Sequence, residues 1–170
     1  MLVYIVIAYV LFMFVLVRLV VPYIGFWREQ IPEKLPPGLL KTVRALKVKN
    51  RSPEKLARAV HAFLAKKYYG SHILTFVRPD LVLSRNIARI WRISGYLPCN
   101  QQNWLLYIML VQSGFFSPED VRFRITTVVG FIHQYVQVKL NKKWVSVDVW
   151  ASRYGVDFGK RSGLFGAKVI

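Results

Sequence analysis

From Leu2 to Val21 the chain reads LVYIVIAYVLFMFVLVRLVV, apolar on every side, with Arg18 as the sole charge. A run of about 20 such residues matches a hydrocarbon core roughly 30 Å thick. The expectation is a transmembrane helix. A cleaved signal peptide normally has a basic start and a small-residue cleavage site, and neither is present. A buried core helix would carry more polar punctuation. Arg18 lies near the end of the run, where its stem can snorkel. Tyr23, Phe26 and Trp27 follow as an interfacial aromatic belt would. No Lys or Arg precedes the run, whereas Arg28, Lys34, Lys41, Arg44, Lys47, Lys49 and Arg51 crowd its far side. The positive-inside rule then sets the N-terminus outside and the remainder in the cytoplasm, a single-pass membrane protein anchored through residues 1–27.

Charge narrows the function classes. Lys and Arg number 25 against eight acids, for a net charge of +17. So few carboxylates leave no dense cluster for calcium or magnesium, and no metal or other cofactor is expected. The basic excess fits attraction to anionic lipid head groups beside the anchor. Specific nucleic-acid binding is not expected, because no recognised module or Cys/His zinc spacing accompanies the charge. A single cysteine excludes an internal disulfide and suits a reducing compartment.

Organisation follows from local signals. Ile31–Gly38 reads IPEKLPPG, a stiff proline-rich stretch, and residues 28–51 form a basic linker. Ser52, Pro53 and Glu54 supply a cap, a first-turn proline and a dipole-compensating acid for a helix that buries Leu56, Val60, Phe63 and Leu64 and stops by Gly70. A second helix is expected over Arg85–Ser94, capped by Ser84, with Ile87, Ile90 and Trp91 as its buried stripe. A third begins just after Pro98, carries Trp104, Leu105, Ile108 and Met109, and ends at Ser113–Gly114. Beyond Pro118 the pattern changes to strands: Arg124–Val138 is rich in β-branched and aromatic residues, and Lys143–Trp150 alternates. Helices followed by an antiparallel sheet define an α+β fold, with a domain over 52–154 and a glycine-rich tail over 155–170.

Cys99 opens the third helix, where unpaired backbone N–H groups favour a thiolate. A lone cysteine is more often an inert core residue, so its company decides. His133, in GFIHQYVQVKL, and Asp148, in KKWVSVDVW, belong to two strands joined by a turn at Asn141–Lys142. With an even-length turn they share one face with Tyr135, Gln137, Trp144, Ser146 and Trp150. Val136, Val138, Leu140, Val145, Val147 and Val149 take the opposite, core face, which pushes His133 and Asp148 out of the core. An acid on a valine-rich strand needs a partner, and a carboxylate orienting an imidazole that deprotonates a thiol is the cysteine form of a catalytic triad. His61, among the apolar positions of its helix, and His72, at a helix end, read as structural or surface residues. Asp157 is a lesser rival to Asp148.

The stretch from Cys99 to Asp148, about a third of the chain, resembles the core motif of the transglutaminase-like superfamily. A cysteine starts a helix that a glycine closes (Cys99, Gly114). A strand follows with His133, an aromatic at Tyr135 and a hydrophobic residue at Val138. After a hairpin comes Trp-x-x-x-Asp, as Trp144 and Asp148. Asn100, Gln134, Gln137 and Val149 stand where the family commonly has other residues. The resemblance implies a papain-like arrangement of helices on an antiparallel sheet. It also implies Cys99 as nucleophile, His133 as base and acid, Asp148 as its orienting carboxylate, and an oxyanion met by the Cys99 N–H. The expected activity is cleavage or transfer of acyl groups at amide bonds of a peptide or protein. Peptidase or amidase chemistry is favoured over cross-linking. The alternative is an inactive domain of the same fold serving as a membrane-tethered binding or assembly module.

Overall fold

The computed structural model describes residues 2–15, 30–128, 131–163 and 168–169. Helix α1 spans Leu2–Val15. Among the described residues no helix is long and apolar enough to cross a membrane. The expected single-pass anchor and the orientation drawn from it are therefore corrected. Arg18, Tyr23, Phe26, Trp27 and Arg28 lie outside the described residues. Met13 is buried, so one position of α1 already packs against protein.

The basic stretch after it does more than link. Pro37 starts helix α2, Pro37–Lys49, directly inside the proline-rich segment; proline is well suited to a first helical turn, whose N–H would be unpaired anyway. Leu39 and Val43, four residues apart, enter the core at 0% and 2% exposure, each worth about 1.5–3 kcal/mol on burial. That contribution makes α2 part of the domain. Helix α3, Pro53–Lys67, starts at the expected cap, the Ser52 hydroxyl accepting from the Lys55 N–H. It buries Leu56, Val60 and Leu64 and runs into a two-residue strand β1, Tyr68–Tyr69.

Two short helices beyond those expected come next: α4, His72–Val77, capped by Ser71, and α5, Pro79–Val82. Helix α6 spans Ile87–Arg92 and is shorter than expected, because Asn86 rather than Ser84 caps it by accepting from the Arg89 N–H at 3.0 Å. Strand β2, Gly95–Tyr96, pairs in parallel with β1, and helix α7, Cys99–Gln112, follows at once. From Asn100 to Leu110 every residue of α7 is buried, on all faces. It is the central helix of the domain, and Gly114, at φ 73°, ends the turn beyond it.

The expected Arg124–Val138 strand divides into β3, Val121–Val128, and β4, Phe131–Leu140, and β5 spans Lys143–Val147. They form an antiparallel meander in the order β3-β4-β5. Asn141 and Lys142, at φ 48° and 67°, make the two-residue turn whose positive φ values match strand twist. The register Val136↔Val147 and Val138↔Val145 puts the valines on one face. There Val136, Val138 and Val147 join α2, α3 and α7 in the main core. The chain is α+β, as its order of elements implied. Beyond β5 a 3-10 turn, Trp150–Tyr154, leads into short strands β6, Arg161–Ser162, and β7, Lys168–Val169.

Candidate active site

The hairpin register determines where the three chemical side chains go. Pairing Gln137↔Ser146 and stepping back along both strands sets Tyr135 opposite Asp148, with His133 diagonal to it on the same face. β5 ends at Val147, and the chain turns sharply at Asp148 into the 3-10 turn. That turn brings the carboxylate back toward the strand: His133 Nε2–H reaches both Oδ1 and Oδ2 of Asp148 at 2.9 Å. The carboxylate also accepts the Ala151 N–H at 3.1 Å and the Ser162 N–H at 3.0 Å. Four contacts fix its orientation at 0% exposure, and they offset the cost of burying a charge.

His133 is 2% exposed. Burial by itself disfavours the imidazolium, but the Asp148 charge and hydrogen bond, together with a hydrogen bond and charge at Cys99, outweigh it and raise the pKa to about 10. With Nε2 committed to Asp148, Nδ1 is the nitrogen left for the Cys99 thiol. Cys99 itself is partly exposed, so the sulfur can be approached from outside. It stands at the first position of a 14-residue helix, where the leading N–H groups have no intrahelical acceptor. Sequence order separates these three residues; the structure brings all three together.

Both faces of the sheet are covered. His133 and Asp148 avoid the valine core, yet they lie beneath a second cluster of Trp150, Ala151 and Val156, against which Cys99 packs. The Trp150 indole lies 4.9 Å from the His133 ring and 4.7 Å from His72, between centroids. Gly70 makes room for it, because a Cβ there would overlap the indole. His72 is thus no bystander at a helix end. It borders the site across Trp150, and burial, then the His133 charge, lowers its pKa.

His61 is also nearer the chemistry than its place on α3 suggested. It is buried, hydrogen-bonded through Nε2 to Ser152 Oγ at 2.9 Å, and sits behind the Asp148 backbone. Burial lowers its pKa. Tyr96 turns its phenol to Thr75 Oγ1 at 2.8 Å; burial, reinforced by a nearby Cys99 charge, pushes its pKa up. Asp157 is mostly exposed beside Lys160 and does not enter the constellation. The tail is ordered where it matters: the Gly159 N–H donates to Ser146 O at 3.0 Å and the Ser162 N–H to Asp148. No motif announced that contribution, since a backbone N–H carries no residue type. Among the described residues no group of three or more His, Cys, Asp and Glu side chains could hold a metal ion.

No protein-family model, curated protein or solved structure matches the chain.

Proposed function

We propose that this chain is a thiol enzyme, transglutaminase-like in its chemistry, that cleaves an amide bond through a thioester on Cys99. The observation that carries the reading is the buried His133 imidazole, held by Asp148 at 2.9 Å through Nε2 and in contact with the Cys99 thiol on its other side. The imidazole, fixed by Asp148 on one side and hydrogen-bonded to Cys99 on the other, is placed to take the thiol proton. Sγ attacks the carbonyl carbon, forming the C–S bond while the carbonyl electron pair moves onto oxygen, next to the N–H groups that start α7. Collapse breaks the C–N bond, and His133 gives its proton to the departing amine. Water then attacks the thioester, His133 takes a proton from it, and the acid leaves as the thiolate returns. Asp148 holds the ring throughout. An amine in place of water gives acyl transfer.

The test is labelling and turnover together. A peptidyl probe with a thiol-reactive warhead is expected to label wild type at Cys99 and to leave Cys99→Ala unlabelled. Peptide anilides should release amine in a Cys99-dependent way, and added hydroxylamine should divert part of the acyl group to hydroxamate. Labelling without turnover on any peptide pool would favour the inactive binding module. Absence of both would end the enzyme reading.

A further inference from the structure

Asn103 lies four residues beyond Cys99 on α7, hence on the same helix face one turn further in. It is 0% exposed. Its Nδ2 donates to the backbone carbonyl of Gln134 at 2.7 Å and approaches Gln134 Oε1 at 3.3 Å. Gln134 is the residue after His133. By strand alternation it shares the face of Val136 and Val138, so this amide pair sits at one end of an otherwise apolar interface between α7 and β4. That end is the one nearest the thiol and the imidazole. The β5 ladder does not reach it, its pairing with β4 beginning only at Val136.

The arrangement is costly for stability alone. Asn103 Oδ1 is buried with no hydrogen-bond partner, and an apolar side chain of similar size would avoid that orphaned acceptor. A polar group kept at such a position, joining the helix of one reacting group to the strand of the other, has a geometric task. Trp150 and Asp148 hold the His133 ring by its face and its Nε2, but neither belongs to α7.

We propose that Asn103 is a positioning residue: it ties the β4 backbone at Gln134 to the Cys99 helix and so sets the separation of thiol and imidazole. The inference rests on the thiol-enzyme reading above. Without the tie, α7 and β4 still pack through their apolar residues, but the two reacting side chains are no longer held in register. A slip on the order of 1 Å is enough to weaken a hydrogen bond and to cost about 10²-fold in rate.

The experiment measures iodoacetamide alkylation of Cys99 against pH, alongside thermal melts, in the full chain. The variants are Asn103→Leu, Asn103→Thr and a control, Leu110→Ala, which opens a cavity in the same helix far from the site. Wild type is expected to react at about pH 6 faster than a free cysteine derivative, because the imidazole hydrogen-bonded to the sulfur is placed to take the thiol proton. Folded N103L should lose that advantage, at least tenfold at the same pH, with a matching drop in kcat and little change in KM. N103T, whose hydroxyl cannot span the distance, should move in the same direction should N103L fail to fold. L110A should lower the melting temperature and leave the pH profile unmoved. A folded N103L or N103T with the wild-type profile overturns this inference alone. A wild type no more reactive at low pH than the free thiol overturns the thiol-enzyme reading and this inference with it.

Discussion

At the scale of single residues, the site is built around one buried charge and what it accepts. Asp148 receives an imidazole N–H and two backbone N–H groups. Asn in its place keeps the shape but turns one acceptor into a donor facing donors. We expect Asp148→Asn to lower turnover by on the order of 10⁴-fold and stability by about 1–3 kcal/mol, read from single-turnover kinetics and urea unfolding. The histidines predict opposing pH limbs. His133 has a raised pKa, so its stabilising contribution is complete below an unfolded value near 6.5 and disappears as pH rises through about 10. His61 has a lowered pKa; its contribution is complete above about 6.5 and is lost as pH falls, because the unfolded chain takes up the proton first. In urea unfolding from about pH 5 to 10, His61→Gln should flatten the acid limb and His133→Gln the alkaline one. An alkaline limb unchanged in His133→Gln would contradict the raised pKa.

At the scale of elements, caps and alternation were legible and long-range coverage was not. Ser52 capping α3, Pro98 preceding α7 and the two-residue turn at Asn141–Lys142 are signals spanning a few residues, and the chain obeys them. The shared face of His133 and Asp148 followed from that turn alone. Their burial did not. It comes from Trp150 and from residues 155–163, whose glycines suggested a loose tail. Nothing local says that Gly70, at the end of the β1 segment, must leave space for an indole 80 residues later. Gly70→Ala should displace Trp150 from between His72 and His133, cost about 1–3 kcal/mol as overpacking does, and shift the tryptophan fluorescence. An unchanged melt and spectrum would show that the indole can move aside freely. The apolar run at the N-terminus taught the reverse lesson: its composition matched a membrane span, yet among the described residues no helix is long and apolar enough to cross one.

For the whole molecule, the net charge outweighs what local pairing can neutralise. Several acids are already engaged locally: Glu54 with Arg58, Asp80 with Arg78 and Arg89, Asp148 with His133. Most of the 25 basic side chains therefore repel one another. Sodium chloride raised from about 0.05 to about 0.5 M shortens the screening length from roughly 14 to roughly 4 Å. The melting temperature should then rise by on the order of a few degrees. A fall would mean that the surface ion pairs outweigh the repulsion.

The sequence by itself determined the α+β order of elements, the helix that begins at Cys99 and the hairpin register. Each of these depends on neighbours within a few residues or on a strict period of two. Only the tertiary structure decided that Cys99, His133 and Asp148 meet and that Trp150 and Ser162 close over them. It also decided that His61 sits behind the Asp148 backbone, bonded to Ser152, and that Asn103 joins the helix to the strand. Those contacts link segments up to 91 residues apart. Their partners are backbone atoms and packed rings, which leave no pattern in the order of side chains.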